Sequence, residues 1–547
     1  MRNFLFTLLS CICCLQVFAQ VPTVGVVLHE EGSFEDGYVM FSPALGYDTY
    51  LIDKCGRKIH SWNGNYRQGV NSVYLLDDGS LLRGGNSNNS VFNFPGKGGA
   101  FEMIDWEGNI EWRYTYSNAK ECQHHDFIIL PNGHVLLIAW EKKLIGEAIS
   151  AGRNPDLVGT EVWSEGIIEL NPIGSDSAEI VWEWHLWDHL VQDYDPTKQN
   201  YNNVFEHPEL VDLNYNAAFF NDWIHLNSID YNEELDQIMV SAHNFNEIWV
   251  IDHSTTSQEA ATHFGGKHGK GGDLLYRWGN PAAYRHGDTS DQQLFWQHHA
   301  HWIPKGLPNE DKVMIFNNGN LRTPIEYSSV EIIELPIDAQ GFYSNTLPYL
   351  PMEAWWTYND SIPQRFYAKN TSGAQQLSNG NILITNGFAG TFFEIDTFKH
   401  TVWKYVNPLG AITYPQGSTN LVLNNLFRST FYPFNHPAFT GKVLTPGNPL
   451  ELNPYPSTCN ITTNLPNTEQ LEPSFLFPNP ANAYIHVQLP FSVQRYILFN
   501  ILGNEVISGD IATTHCTLRV ADLPNGLYRI YFFGKEKNIF ANIMVTH

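Results

Sequence analysis

The feature that most constrains this chain is a unit of four short strand-like segments that recurs along residues 37–410. In each unit an apolar run leads through a turn into a second apolar run. A third strand, often ending in an acid or Asn, and a fourth, rich in Trp, then follow. The third strands read TYLID (49–53), AFEMID (100–105), GIIELN (166–171), EIWVID (247–252), VEIIEL (330–335) and FFEID (392–396). The fourth read KIHSW (58–62), IEWRY (110–114), VWEWH (181–185), LLYRW (274–278), EAWWTY (353–358) and TVWKY (401–405). Helical periodicity is weak and Gly or Asn turns are frequent, which is the pattern of short strands. Units of about 40–75 residues with four strands apiece are propeller blades, small sheets that bury their faces only by stacking on neighbours. A β-sandwich has no such internal period. The expectation is an all-β chain with a six-bladed β-propeller over 20–445, and with insertions such as 143–163 and 186–222 as loops over one face. Only three strands are obvious between Gly37 and Trp62, so a terminal segment is expected to complete the first blade.

Within this frame a histidine recurs. His125 opens HDFIILPNGHVLL and His298 opens HHAHWIPKGLP, each six residues before the proline of a turn. His225 occupies the corresponding place in WIHLNSIDYNEELDQIMVSA, while Asn71 and Ser372 stand there in two other units. The innermost strand of a blade starts near the axis, so these residues face one another across the central channel. His125, His225 and His298 are therefore the expected catalytic cluster. Asn71 and Ser372 complete its substrate-binding rim, and His243, which ends the next strand of the His225 unit, lies within reach. Other histidines, such as His60, His263 and His400, are read as ordinary hydrogen-bonding residues.

Three chemistries fit such a cluster. Three neutral imidazoles and a water make a zinc site, but such ligands need oriented carboxylates, for which Asp126 is the candidate. Trp-rich fourth strands fit a quinoprotein propeller, yet the mature chain has no adjacent cysteines and no convincing cofactor pocket. The third is a histidine nucleophile whose neighbours stabilise transferred and departing anions.

Composition narrows the partners. A net charge of −26, from 31 basic and 57 acidic residues, disfavours nucleic acid, which is held by Lys and Arg clusters absent here. Residues 1–19 read as a signal peptide, with Arg2, an apolar run over Phe4–Val17 and Val17-Phe18-Ala19 before Gln20. That run falls short of the ~20 residues of a membrane span, and no other stretch approaches it, so an exported chain without an integral membrane segment is expected. Cys11, Cys13 and Cys14 leave with this peptide. Cys55, Cys122, Cys459 and Cys516 are too dispersed for a disulfide framework, though an oxidising compartment would permit a Cys55–Cys122 bridge. Residues 446–473, rich in Pro, Asn and Thr, read as a linker. Residues 474–547 form a separate, small β-sandwich-like unit with strands in YIHVQL, RYILFNILG, CTLRV and GLYRIYFF.

Two resemblances add to this reading. FPNPA (477–481), LPNGLYRIYF (523–532) and the tail KEKNIFANIMV resemble the C-terminal sorting domain of type IX secretion. That resemblance implies the type IX machinery as a partner and a secreted or surface location. HHDFIILPNGHVLL (124–137), DWIHLNSIDYN (222–232), EIWVIDH (247–253), WQHHAHWIPKG (296–306), FNNG (316–319) and NGNILITNGFAGTFFEID (379–396) resemble the bacterial arylsulfate sulfotransferase family. The resemblance implies a six-bladed propeller that moves a sulfuryl group between small phenolic donors and acceptors through a sulfohistidine, with no nucleotide donor, metal or other cofactor. It implies His298, after Gln297, as nucleophile and His125 and His225 as supporting residues. The family pattern has a serine-arginine pair where this chain has Ala242-His243, which weakens the anion site, or leaves another cation such as Arg365 or Arg428 to substitute, or leaves the chain a non-catalytic binding or adhesion module.

Overall fold

The computed structural model describes residues 21–216, 221–455, 459, 469–470, 476–489, 492–500, 505–511, 513–534 and 538–547. The expected signal peptide lies outside the described residues, as do parts of 446–473. The chain divides into two compact units, Met1–Cys459 and Asn460–His547.

The first unit is all-β and propeller-like. Six antiparallel sheets of at least four strands follow one another, and in four of them the inner strand comes first in the chain. The second sheet comprises Val73–Leu75, Leu81–Asn86, Gly99–Ile104 and Ile110–Thr115. The third comprises Glu121–Ile129, Val135–Leu144, Glu161–Ile173 and Ser177–His185. The fourth comprises Leu226–Asn232, Gln237–Ala242, Glu247–Asp252 and Tyr276–Trp278. The fifth comprises His298–Trp302, Val313–Asn317, Ser329–Ile333 and Trp356–Tyr358, and the sixth Gly373–Gln376, Ile382–Asn386, Thr391–Ile395 and Thr401–Val406.

The first sheet is completed from the far end of the unit. Its inner strand is Leu426–Pro433, which pairs antiparallel with Gly37–Pro43 and brings Asp48–Asp53 and Lys58–Asn63 behind it. The N-terminal segment Gly25–His29 instead adds a fifth strand to the sixth sheet, against Thr401–Val406. Both segments are thus bound into sheets.

The repeated Trp residues have a physical role in this arrangement. Indole N–H groups of outer strands donate to main-chain oxygens of the following sheet: Trp112 to Ser177, Trp182 to Thr255, Trp184 to Gly272 and Trp278 to Pro351. Trp403 of the sixth sheet donates to the Lys54 carbonyl of the first, at 2.7 Å, and so joins those two sheets. A buried Trp offers a large apolar face and one donor; these five donors find partners, whereas the buried Trp62 Nε1 of the first sheet finds none among the described residues. The insertions differ in kind. Residues 143–163 lengthen the hairpin of the third sheet and include the short helix Ile145–Ala151, whereas 186–222 pairs Leu190–Val191 with Val211–Asp212.

The cysteines pair otherwise than the sequence allowed. Cys55, in the turn between Asp48–Asp53 and Lys58–Asn63, is bonded to Cys459, while Cys122 is free and buried in a cluster with Phe92, Trp140 and Trp163. The sequence shows no such proximity because the partners are 404 residues apart. The bridge ties the segment after the closing strand to the first sheet. Cys459→Ser should lower the unfolding free energy by about 2–4 kcal/mol, read by urea titration of the oxidised protein; an unchanged midpoint would show that the bridge constrains nothing.

The second unit contains a five-stranded sheet and a three-stranded sheet with strands Leu476–Phe477, Tyr484–Gln488 and His515–Arg519. Alternation puts Ile485, Val487, Leu518, Ile530, Phe532 and Ile543 into one shared apolar core, as expected of a small sandwich.

Candidate active site

The inner strands of the third, fourth and fifth sheets each carry a β-bulge at the end where the histidines lie. A bulge re-aims the side chains around it. His125 and His225 also adopt left-handed backbone, φ 49° and 58°, which costs an L-residue energy and clusters at functional sites. Together these irregularities turn four imidazoles toward one another. Ring centroids are 4.5 Å apart for His125–His225, 4.8 Å for His225–His243 and 5.4 Å for His243–His298.

All four line one cavity of about 1020 Å³. Its other walls come from Pro95, Asn370, Thr371, Phe388, Val406 and the segment Leu421–Asn425. Phe388 is the one aromatic side chain besides the histidines among the described lining residues, so flat ligands would meet mainly aliphatic walls. No Lys or Arg occurs among them.

Each histidine has a distinct partner. Asn318 donates through its amide nitrogen to the carbonyls of Ala368 (2.7 Å) and Thr371 (3.1 Å), so its oxygen is the atom that meets His298 Nδ1 at 2.8 Å. Nδ1 therefore carries the hydrogen, and the Nε2 lone pair is left available; the Thr371 N–H approaches it at 3.2 Å. Burial, opposed by the Asn318 hydrogen bond, pulls the His298 pKa down to about 3, and the ring stays neutral throughout the physiological range. His225 Nδ1 forms a short contact with Asp222, whose other oxygen accepts from Trp140 Nε1 at 3.1 Å. His125 Nδ1 lies 2.9 Å from His124 Nδ1, and His124 Nε2 lies 2.8 Å from Glu165, while Trp140 stacks flat on the His124 ring. Desolvation, reinforced by neighbouring imidazoles, holds His124, His125 and His243 well below the ordinary histidine range.

Gly96 shapes the cavity from above. It has φ +94°, and a Cβ there would lie 1.8 Å from the His125 ring, so only glycine lets the FPGKGG loop cross the imidazole.

The structure brings His125, His225, His243 and His298 together, but separates Asn71 and Ser372 from them. Asn71 donates to the carbonyls of Gln68 and Lys97, and Ser372 Oγ donates to Asn370 O and accepts from the Gly387 N–H. Neither lines the cavity; both hold turns at its edge. The register is also looser than the sequence suggests, because His225 precedes its strand whereas His125 lies inside its own. Asp126 supports no histidine. It is held bidentately by Arg428 at 2.8 and 2.9 Å, accepts from Ser72 and from the Ile229 N–H, and does not line the cavity. Arg428 is thereby committed, and Arg365 lies exposed on a turn outside the cavity.

The residues that orient the imidazoles were not singled out from the sequence. Asp222 had a signal, since Asp-x-x-His permits an i,i+3 pair, and so had Asn318 in FNNG. Glu165 had none, because it meets His124 only through the pairing of two strands.

An all-β, propeller-like protein with a cavity walled by imidazoles is the class that fold and site define. Residues 49–413 match the Arylsulfotransferase (ASST) family, and the chain belongs to that family. Residues 475–546 match the secretion system C-terminal sorting domain, which indicates export to the cell surface or secretion. No helix among the described residues is long and apolar enough to cross a membrane. No curated protein matches the chain. Among solved structures it is similar to a streptogramin B lyase (10% identity, 75% of this chain and 97% of that one, TM-score 0.34). It is also similar to virginiamycin B lyase from Staphylococcus aureus (11%, 72% and 86%, TM-score 0.32). A third is a 6-phosphogluconolactonase-like protein of Bacteroides fragilis (8%, 73% and 98%, TM-score 0.35). Likenesses of this size carry no argument about chemistry.

Proposed function

We propose that the protein is an exported aryl-sulfate sulfotransferase that works by two displacements at His298. The observation that carries this reading is the His298 ring itself: neutral, with its hydrogen held on Nδ1 by Asn318 and its Nε2 lone pair at the cavity. In the first half-reaction Nε2 attacks the sulfur of an aryl sulfate, the N–S bond forms, the S–O(aryl) bond breaks and the phenolate departs. In the second, a phenol gives its proton to His225, its oxygen attacks sulfur, and the N–S bond breaks. No Lys or Arg is among the described residues that line the cavity, so charge on the sulfuryl oxygens falls to N–H donors. His225 is the best placed, with Asp222 accepting from its Nδ1 and Nε2 left to carry a proton toward the substrate; His243 stands where the family carries arginine and, held neutral by burial with Nδ1 on the Asn244 oxygen, supplies no cation there. The Thr371 N–H, now directed at Nε2, is positioned to donate to a sulfuryl oxygen once the N–S bond exists.

Incubation with a chromogenic aryl sulfate tests this. Phenolate release should accelerate when a second phenol is added and should follow ping-pong kinetics. The missing arginine favours one rival, a binding propeller that holds aryl ligands without turnover. No release over a panel of phenols would select that reading.

A further inference from the structure

A second histidine cluster lies outside the cavity, on the fourth sheet. His189 follows the turn Leu186–Asp188, while His263 and Asp273 bracket the glycine-rich segment FGGKHGKGG that leads to strand Tyr276–Trp278. His189 Nδ1 lies 2.8 Å and His263 Nδ1 2.7 Å from the same oxygen of Asp273. The three donor atoms all fall within 4.8 Å of one another.

The hydrogen positions give the cluster its meaning. His189 Nε2 lies 2.8 Å from the Ala260 carbonyl, which can only accept, so Nε2 carries a hydrogen. Nδ1 is therefore the nitrogen left to face the carboxylate, and His263 Nδ1 meets the same oxygen. Two ring nitrogens and one carboxylate oxygen thus converge on one point, the donor set of a divalent transition-metal ion.

The surroundings fit a ligand rather than a flexible side chain. His189 is wholly buried, stacks parallel to Trp184, and is gripped by the loop so closely that a Cβ on Gly272 would lie 2.5 Å from its Nε2. An imidazole whose far N–H is fixed by a backbone carbonyl is the usual outer support of a zinc ligand. His263 is 59% exposed, so the cluster opens to the surface, where an ion can enter and a water can fill a fourth position.

We propose that His189, His263 and Asp273 bind a divalent transition-metal ion of the Zn²⁺ type, with two nitrogens and one oxygen from the protein. The ion clamps the 186–222 insertion to the outer loop of the fourth sheet. It is a structural site, separate from the histidine cavity.

Equilibrium dialysis of the chelator-stripped, oxidised protein against Zn²⁺ alone tests this, with thermal unfolding in parallel. The wild type should take up an ion that His263→Ala fails to retain, with affinity lowered more than ~100-fold, since even an outer-shell partner is worth ~10–100-fold. Zn²⁺ should raise the thermal midpoint of the wild type and not that of the variant. Asp273→Asn, which preserves shape, should behave like His263→Ala. His263 is exposed, so its variant should fold, and its chelator-insensitive activity should match the wild type. Uptake that is absent in the wild type, or identical in all three proteins, would overturn the proposal and leave a hydrogen-bonded His–Asp–His pair.

Discussion

His298→Ala should abolish sulfuryl transfer while leaving the fold intact. The substitution removes the ring whose Nδ1–H is fixed by Asn318 and whose Nε2 is turned to Thr371 at the cavity; His243, with Nδ1 on the Asn244 oxygen, is the cavity imidazole most like it, while His125 and His225 face His124 and Asp222. Loss of an attacking group in a site where residues act as a unit costs on the order of 10³-fold or more. The cost to stability should be small by comparison, because the ring lines a cavity and its deletion leaves only local groups, the Asn318 oxygen and the Thr371 N–H, in want of partners. The check is turnover with an aryl sulfate and a phenol beside thermal unfolding of the same preparation. Wild-type turnover in the variant would remove His298 from the chemistry. His298→Asn should be equally inactive, which separates loss of the nucleophile from loss of packing.

Arg428→Met should destabilise the protein by about 3–5 kcal/mol, the cost of leaving a buried carboxylate without its partner. Arg428 is 9% exposed and Asp126 1%, and the guanidinium spans from the closing strand of the first sheet to the inner strand of the third, with the Tyr74 hydroxyl of the second bound to it at 2.6 Å. Three sheets are therefore joined at the axis by one charge pair. Adding Asp126→Asn should recover part of the loss, because it deletes the orphaned charge, and the two effects should be clearly non-additive. Urea titration of the two single variants and the double provides the cycle. The same variants decide what Arg428 is for. If the cation clamped sulfate, Arg428→Met would raise KM with stability unchanged; the bidentate contact with Asp126 predicts the opposite split.

The fold was legible where periodicity was local. Six third strands and six fourth strands stand where their apolar pattern put them, and Trp112, Trp182, Trp184, Trp278 and Trp403 proved to be ties between successive sheets. The closing strand Leu426–Pro433 was not assignable, because LFRSTFYP has no hairpin partner nearby and pairs with residues almost the whole unit away. The Cys55–Cys459 bridge was hidden for the same reason. At the site, the histidines could be found because a repeated register made them conspicuous. Their partners could not. Asp126 adjoins His125 in sequence, yet a strand sends neighbouring side chains to opposite faces, and the carboxylate turns down the channel to Arg428. Asn71 and Ser372 share the register but spend their polar groups on local turns, as short polar side chains commonly do.

The most direct test of the central claim is to quench the mature protein after mixing with an aryl sulfate in the absence of phenol, under conditions that preserve N–S bonds, and to map the adduct by peptide mass spectrometry. The account predicts a sulfuryl group on the peptide carrying His298, formed with a stoichiometric burst of phenolate, discharged by added phenol and absent from His298→Ala. A burst with no adduct on that peptide, or the same adduct in the variant, would contradict it.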